Sequence, residues 1–161
     1  MDEIANTYLT VNVGDNTYGI HVSHVIEILE YTFPRTKSTD LPFMLGLIEH
    51  RSTIIPMIDA GVKFGQSPIH VNDQSCIVVI SIKSGNEDFN VALLVDNVSD
   101  VVTFTDEDKK FIETHYKPGY VSFATKYDGR FILALDVDKV FNDADIVSMN
   151  QILSENKEKE D

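Results

Sequence analysis

His21 and His24 stand three residues apart, a spacing that on a helix would turn both imidazoles to one face and let them share a metal ion. No third ligand accompanies them, and His21 closes the alternating stretch TYGIHV, which reads as strand, so both are expected to be ordinary surface or core histidines. Glu49-His50 matches the start of the zinc-protease helix motif, but the second histidine is missing and the flanks GLI and TIIPMID read as strand. Cys76 opens a strand and precedes four apolar residues, the setting of a small buried hydrophobe rather than a nucleophile. Asp96, Asp100, Asp106 and Asp108 lack the spacing and central glycine of a calcium loop and read as a solvated acidic face. No glycine-rich loop precedes a helix, so a phosphate cradle has no support. No catalytic residue, metal or cofactor is expected.

Glu27 and Arg51 are left. Each stands in apolar surroundings, Glu27 within VIEILEY and Arg51 within GLIEHRSTIIPMID. A hairpin charge that solvates a turn, for Arg51, and an exposed position on an otherwise apolar segment, for Glu27, explain them most simply, and composition alone favours that explanation. The functional alternative makes both the rim of a partner-binding patch with Val25, Ile26 and Ile28 as apolar anchors. Arginine suits such a rim because its planar fork satisfies several acceptors while its stem packs on apolar surface. An alternative from another class is a small acidic enzyme or ligand-binding β-barrel in which Glu27, His50 and Arg51 line a site.

The elements that must position these residues are strands. YLTVNV and TYGIHV alternate on either side of Gly14-Asp15-Asn16, a hairpin signal. The next apolar stretch, from Val25 to Leu29, fits a short helix or a continued strand. Thr32 to Pro42 reads as a loop. Met44–Ile48 and Thr53–Ile58 read as strands flanking the charged triplet, with Pro56 pointing to an edge position or a bulge. A short helix or turn covers Asp59–Phe64, and Gln66–Gln74 is a connector. Ser75–Lys83, Asn90–Val95, Tyr120–Lys126 and Arg130–Leu135 read as further strands, with a polar segment from Thr103 to Pro118.

The two halves overlay. Ile20-x-Val22-x-x-Val25-x-Glu27-Ile28 matches Leu93-x-Val95-x-x-Val98-x-Asp100-Val101, and Ile58-Asp59 with Phe64 matches Leu135-Asp136 with Phe141. Arg51 precedes one strand and Arg130 the other. The pattern predicts two copies of one mainly-β unit sharing a core, because a unit that small buries little apolar surface alone. The expected lobes are about 14–72 and 75–141, with strands possibly exchanged between them, inside one domain spanning 7–141. Residues 148–161 form an acidic tail that begins as a helical turn and ends disordered.

The chain has 161 residues, 43% of them hydrophobic, and a formal net charge of -13. Such a charge disfavours nucleic acid and anionic membrane surfaces as partners. No stretch has the length of a membrane span, and the acidic N-terminus does not resemble a secretory signal. A single cysteine excludes an internal disulfide. A cytoplasmic protein is expected.

YGIHVSHVIEILEY resembles the YGI-x-x-x-x-V-x-E-I segment of the CheW family of bacterial chemotaxis coupling proteins. GLIEHRSTIIPMID resembles that family's G-x-x-N-L-R-G-x-I-x-P-x-I-D, LLVDNVSDVV its VD-x-V-x-x-V, and YDGRFILALDVDKVF its closing strand. The likeness runs from about Tyr8 to Phe141 and is specific through the order and spacing of the four pieces. It implies two five-stranded β-barrels around a shared core. It also implies a non-enzymatic adaptor between a chemoreceptor's cytoplasmic tip and the regulatory domain of the histidine kinase CheA. Carried over by position, the receptor-binding residues would be Glu27, Ile28, Gly46, Arg51, Cys76, Val98 and Val101, in a groove between the barrels; the likeness assigns no kinase-binding residues. A CheW-like scaffold in a kinase pathway other than chemotaxis is a second reading within the same fold. Of N-L-R-G only the arginine survives here, as Glu49-His50-Arg51-Ser52. Loss of the glycine removes a residue tolerant of positive φ, so the turn is expected to differ, and Glu49 is placed to pair with Arg51.

Overall fold

The computed structural model describes residues 6–35, 40–110 and 118–160. The expected loop over 36–39, the polar segment over 111–117 and the first five residues lie outside them.

Among the described residues, eleven strands carry the fold. The first half gives β1 (Thr7–Val13), β2 (Asn16–His21), β3 (Val25–Glu30), β4 (Met44–His50) and β5 (Thr53–Asp59), followed by helix α1 (Ala60–Lys63). The second gives β6 (Cys76–Ser84), β7 (Glu87–Val95), β8 (Asn97–Thr103), the two-residue β9 (Lys109–Lys110), β10 (Val121–Tyr127) and β11 (Arg130–Leu135). Helix α2 (Asp143–Glu160) follows.

The strands form a six-stranded sheet ordered β8-β1-β2-β11-β10-β9 and a five-stranded sheet ordered β3-β6-β7-β5-β4. The mainly-β class is as expected. The two sheets stand where two barrels were implied, and their backbone pairings are those of open sheets among the described residues. Each sheet takes strands from both halves: β11 runs parallel to β2 in one, and β5 parallel to β7 in the other.

The internal repeat extends to the irregularities. β3 slips register against β6 between Val25 and Glu27, and β8 slips against β1 in the stretch between Val98 and Val101. β4 slips against β5 between Met44 and Gly46, and β10 against β11 between Val121 and Phe123. Asp59 and Asp136, equivalent in the overlay, do the same work: each side chain accepts a backbone N–H at the start of the helical turn that follows it.

Alternation explains why β6 reads as continuously apolar. Val78, Ile80 and Ile82 enter the large core shared by the two sheets, while Ile77 and Val79 enter a second cluster with Ile48, Ile55, Met57 and Leu94. A strand buried on both faces needs apolar residues at every position. A third cluster, around Tyr8, Phe104, Phe123 and Ile132, fills the far side of the six-stranded sheet.

Of the two readings left open for the stretch after His24, strand is the one observed: Val25–Glu30 is strand, entered through a single 3₁₀ turn at Val22–His24. Three expectations change. Pro56 sits in an interior strand and the slip lies between Met44 and Gly46 on the facing strand β4; its missing N–H falls just before β5 begins pairing with β7 at Met57. Arg51 is not the counterpart of Arg130: in the hairpin register Arg51-Ser52 overlays Asp128-Gly129, and Arg130 overlays Thr53. The tail is helical from Asp143 to Glu160, because Asn142 and Asp145 cap it reciprocally and Ile146 and Met149 are buried in the shared core.

Candidate functional site

The hairpin between β4 and β5 turns through Arg51 and Ser52, with φ of 52° and 66°. Positive φ at both central residues is what a two-residue primed turn requires, because only those turns match the twist of the flanking strands. The turn therefore holds Ser52, at the place of the family's glycine, in the left-handed region at some local strain. The strand alternation then decides where the neighbours point. Glu49 is exposed, whereas His50 is buried at 8% exposure.

β3 and β4 are the two ends of the five-stranded sheet, yet their side chains meet. His50 Nε2 donates to Glu27 Oε1 at 2.7 Å, and the Arg51 guanidinium reaches the same oxygen at 3.2 Å. Arg51 thus pairs with Glu27, not with its sequence neighbour Glu49. The guanidinium is 68% exposed and the Glu27 side chain 39%. The hydrogen bond from His50 holds the Glu27 carboxyl below its usual range against partial desolvation, and the Arg51 charge adds to it.

On the opposite face of β3, Ile28 lies across from Val78, a residue of the shared core, and is itself 46% exposed. On β8, Val98 lies across from Val11 and Val101 across from Leu9, both of that same core; Val101 is 62% exposed. Cys76, next to β3 in the sheet, is half-buried, and burial pushes its thiol up against an opposing hydrogen bond from the Val98 backbone. Cys76, at the start of the interior strand β6, thus sits beside Val98 at the start of the end strand β8. Ile28 and Val101 lie on the end strands β3 and β8, one in each sheet, and Glu27 projects from the other face of β3.

Gly46 belongs to neither group. It is buried on β4 beside the register slip with φ of 151°, a conformation that glycine alone adopts readily.

Sequence reading left two features out of the site. His50 was considered only as a zinc ligand or as part of an enzyme site; the signal for its inward position is its two-residue spacing from Ile48 on one strand. The second is the pair of Arg130 with Asp100 at 3.5 Å. Asp100 overlays Glu27 in the repeat, so the carboxylate was legible even though its partner was not.

His21 closes β2 and holds Ser23, and His24 bonds the Ser81 carbonyl, so neither faces a shared ligand. Among the described residues no group of three or more His, Cys, Asp or Glu is placed to hold a metal ion. No helix among them is long and apolar enough to cross a membrane. Among the described residues, clefts of about 270, 540 and 690 Å³ open on the surface, and Glu27, His50 and Arg51 line none of these.

The family model for the CheW-like domain matches residues 7–145. A chemotaxis protein CheW of Rhizobium meliloti is 28% identical over 137 residues, covering 83% of this chain and 85% of that protein. A chemotaxis protein CheW of Klebsiella aerogenes is 24% identical over 159 residues, covering 94% of this chain and 90% of that one. The crystal structure of the scaffolding protein TtCheW from Thermoanaerobacter tengcongensis superposes with a TM-score of 0.75 at 20% identity, over 85% of this chain and 88% of the other. That last likeness speaks to the fold.

Proposed function

The chain belongs to the CheW-like family, and from that premise we propose that it is a non-enzymatic adaptor that couples the cytoplasmic tip of a chemoreceptor to the regulatory domain of the histidine kinase CheA. The observation that carries the reading is the exposure of Ile28 and Val101 on the end strands of the two sheets, which we read with Cys76 and Val98 as one apolar strip. Both stand exposed although their cross-strand partners Val78 and Leu9 are buried in the shared core. Exposed apolar side chains flanked by an oriented ion pair suit an amphipathic helix, which would place its apolar side chains on the strip and its polar ones against the rim. The receptor-facing set is then Glu27, Ile28, Arg51, Cys76, Val98 and Val101, with Gly46 contributing through the shape of β4. Binding of modest strength suits an assembly built from many repeated contacts. The protein acts in the cytoplasm, where both partners present these surfaces.

Titration of the full chain against a receptor cytoplasmic fragment, and separately against a CheA regulatory domain from the same genome, tests this. Saturable binding to both is expected. Kinase binding without receptor binding would move the protein to another signalling input. Binding to neither would leave the fold and remove the function.

A further inference from the structure

The internal repeat supplies a comparison within one molecule. Both halves place a carboxylate beside a register slip on an edge strand, Glu27 on β3 and Asp100 on β8, and both bring an arginine to it from a neighbouring hairpin. Among the described residues, only the first pair has a third, buried side chain on its carboxylate. His50 holds Glu27 Oε1 at 2.7 Å from within, while the residue at the equivalent position of the second hairpin, Tyr127, is 40% exposed. The Arg51 contact is correspondingly the shorter, at 3.2 Å against 3.5 Å for Arg130.

A histidine fixed by packing pins the carboxylate in one rotamer, and a pinned carboxylate gives the long arginine a defined direction. Arg51 reaches the oxygen that His50 holds through one terminal nitrogen, and its side chain is 68% exposed, so its fork of donors stands largely in solvent. We propose that His50 is the positioning residue of the docking site: it aims Arg51 outward, at an acidic side chain on the partner. This rests on the docking reading above. It makes partner choice depend on a residue that the partner never touches, and it assigns the partner group facing Arg51 as a carboxylate, whose bidentate geometry matches the arginine fork.

The test uses the full chain labelled with ¹⁵N-arginine. In the wild type the heteronuclear NOE of Arg51 Nε should report a restrained side chain. His50→Leu, which keeps the volume and removes the donor, should lower it to that of a free surface arginine. His50→Gln, whose amide can reach Glu27, should restore it. His50→Asn, which stays polar but stops short of Glu27, should repeat the Leu result and serves if the Leu variant fails to fold. An Arg51 NOE that is the same in the wild type and in a folded Leu or Asn variant would overturn the proposal. In titration against the receptor cytoplasmic fragment, His50→Leu should bind about threefold to tenfold more weakly and His50→Gln within about twofold of wild type. The Leu effect should vanish in a Glu27→Gln background. Lowered NOE with unchanged affinity would overturn the role in partner choice. Should the fragment bind none of the proteins, the docking reading falls while the NOE still decides whether His50 positions Arg51.

Discussion

Replacing Glu27 and Arg51 one at a time should separate stability from binding within a single ion pair. Glu27→Ala removes the acceptor of His50 Nε2, a donor on a residue only 8% exposed. A buried donor left unsatisfied costs about 1–3 kcal/mol. For a domain of this length that corresponds to a fall in Tm of about 3–10 °C. Arg51→Ala removes a guanidinium that is 68% exposed, and solvent and salt screen such a pair heavily. Its Tm should stay within about 2 °C of wild type. Binding should follow the opposite order of subtlety: Arg51→Ala loses about tenfold or more in affinity for the receptor fragment although its circular dichroism is native. Thermal melts followed by circular dichroism and calorimetric titration on the same preparations give both numbers. Equal melting of the two variants would refute the argument from His50. Full receptor capture by natively folded Arg51→Ala would refute the argument from Arg51.

Acid should act through Glu27. The hydrogen bond from His50, foremost among its interactions, lowers this carboxyl's pKa in the folded state. A lowered carboxyl stabilises the fold above its unfolded pKa and loses that contribution as pH falls through the folded one. The stability difference between wild type and Glu27→Gln should thus be full at neutral pH and close on acidification below the ordinary carboxylate range; a gap that widened in acid would reverse the assignment. The Cys76 thiol, pushed up by burial, should react with an aromatic disulfide reagent more slowly at neutral pH than a free thiol, and more slowly still with receptor fragment bound. No protection by a fragment that binds would place the fragment away from the strip. Gly61→Ala should destabilise although alanine is the better helix former, because its Cβ would stand 2.1 Å from the Ser67 carbonyl oxygen. A urea midpoint at or above wild type would show that the connector shifts freely.

The strands were legible wherever alternation or a continuous apolar run persisted. CIVVI in β6 and the hairpin around Gly14 needed nothing beyond the chain itself. The repeat was legible too, down to the matched aspartates Asp59 and Asp136, because equivalent positions meet equivalent packing. Which strands are exchanged was not, since β2 and β11 find each other across the whole chain and pair through backbone atoms that carry no sequence signature. Pro56 misled because a proline forbids only its own donor, and β5 has no partner at that point on one side. The tail misled because its polar end hid a cap at Asn142 and the helical spacing of Ile146, Met149 and Leu153. At the site, Glu27 and Arg51 were each visible as anomalies, but their contact depends on the two end strands of one sheet meeting through side chains. His50 stayed out of view because it stands between the charged Glu49 and Arg51, and only its two-residue spacing from Ile48 marks it as inward.

The central claim is that one molecule holds receptor and kinase together. Sedimentation of a receptor cytoplasmic assembly with the CheA regulatory domain, in the presence and absence of this chain, tests it most directly. The account predicts that the kinase domain enters the pellet only when the chain is added, and that Arg51→Ala leaves it in the supernatant while still binding the kinase domain in solution. Sedimentation of the kinase domain to the same extent with and without the chain would contradict it.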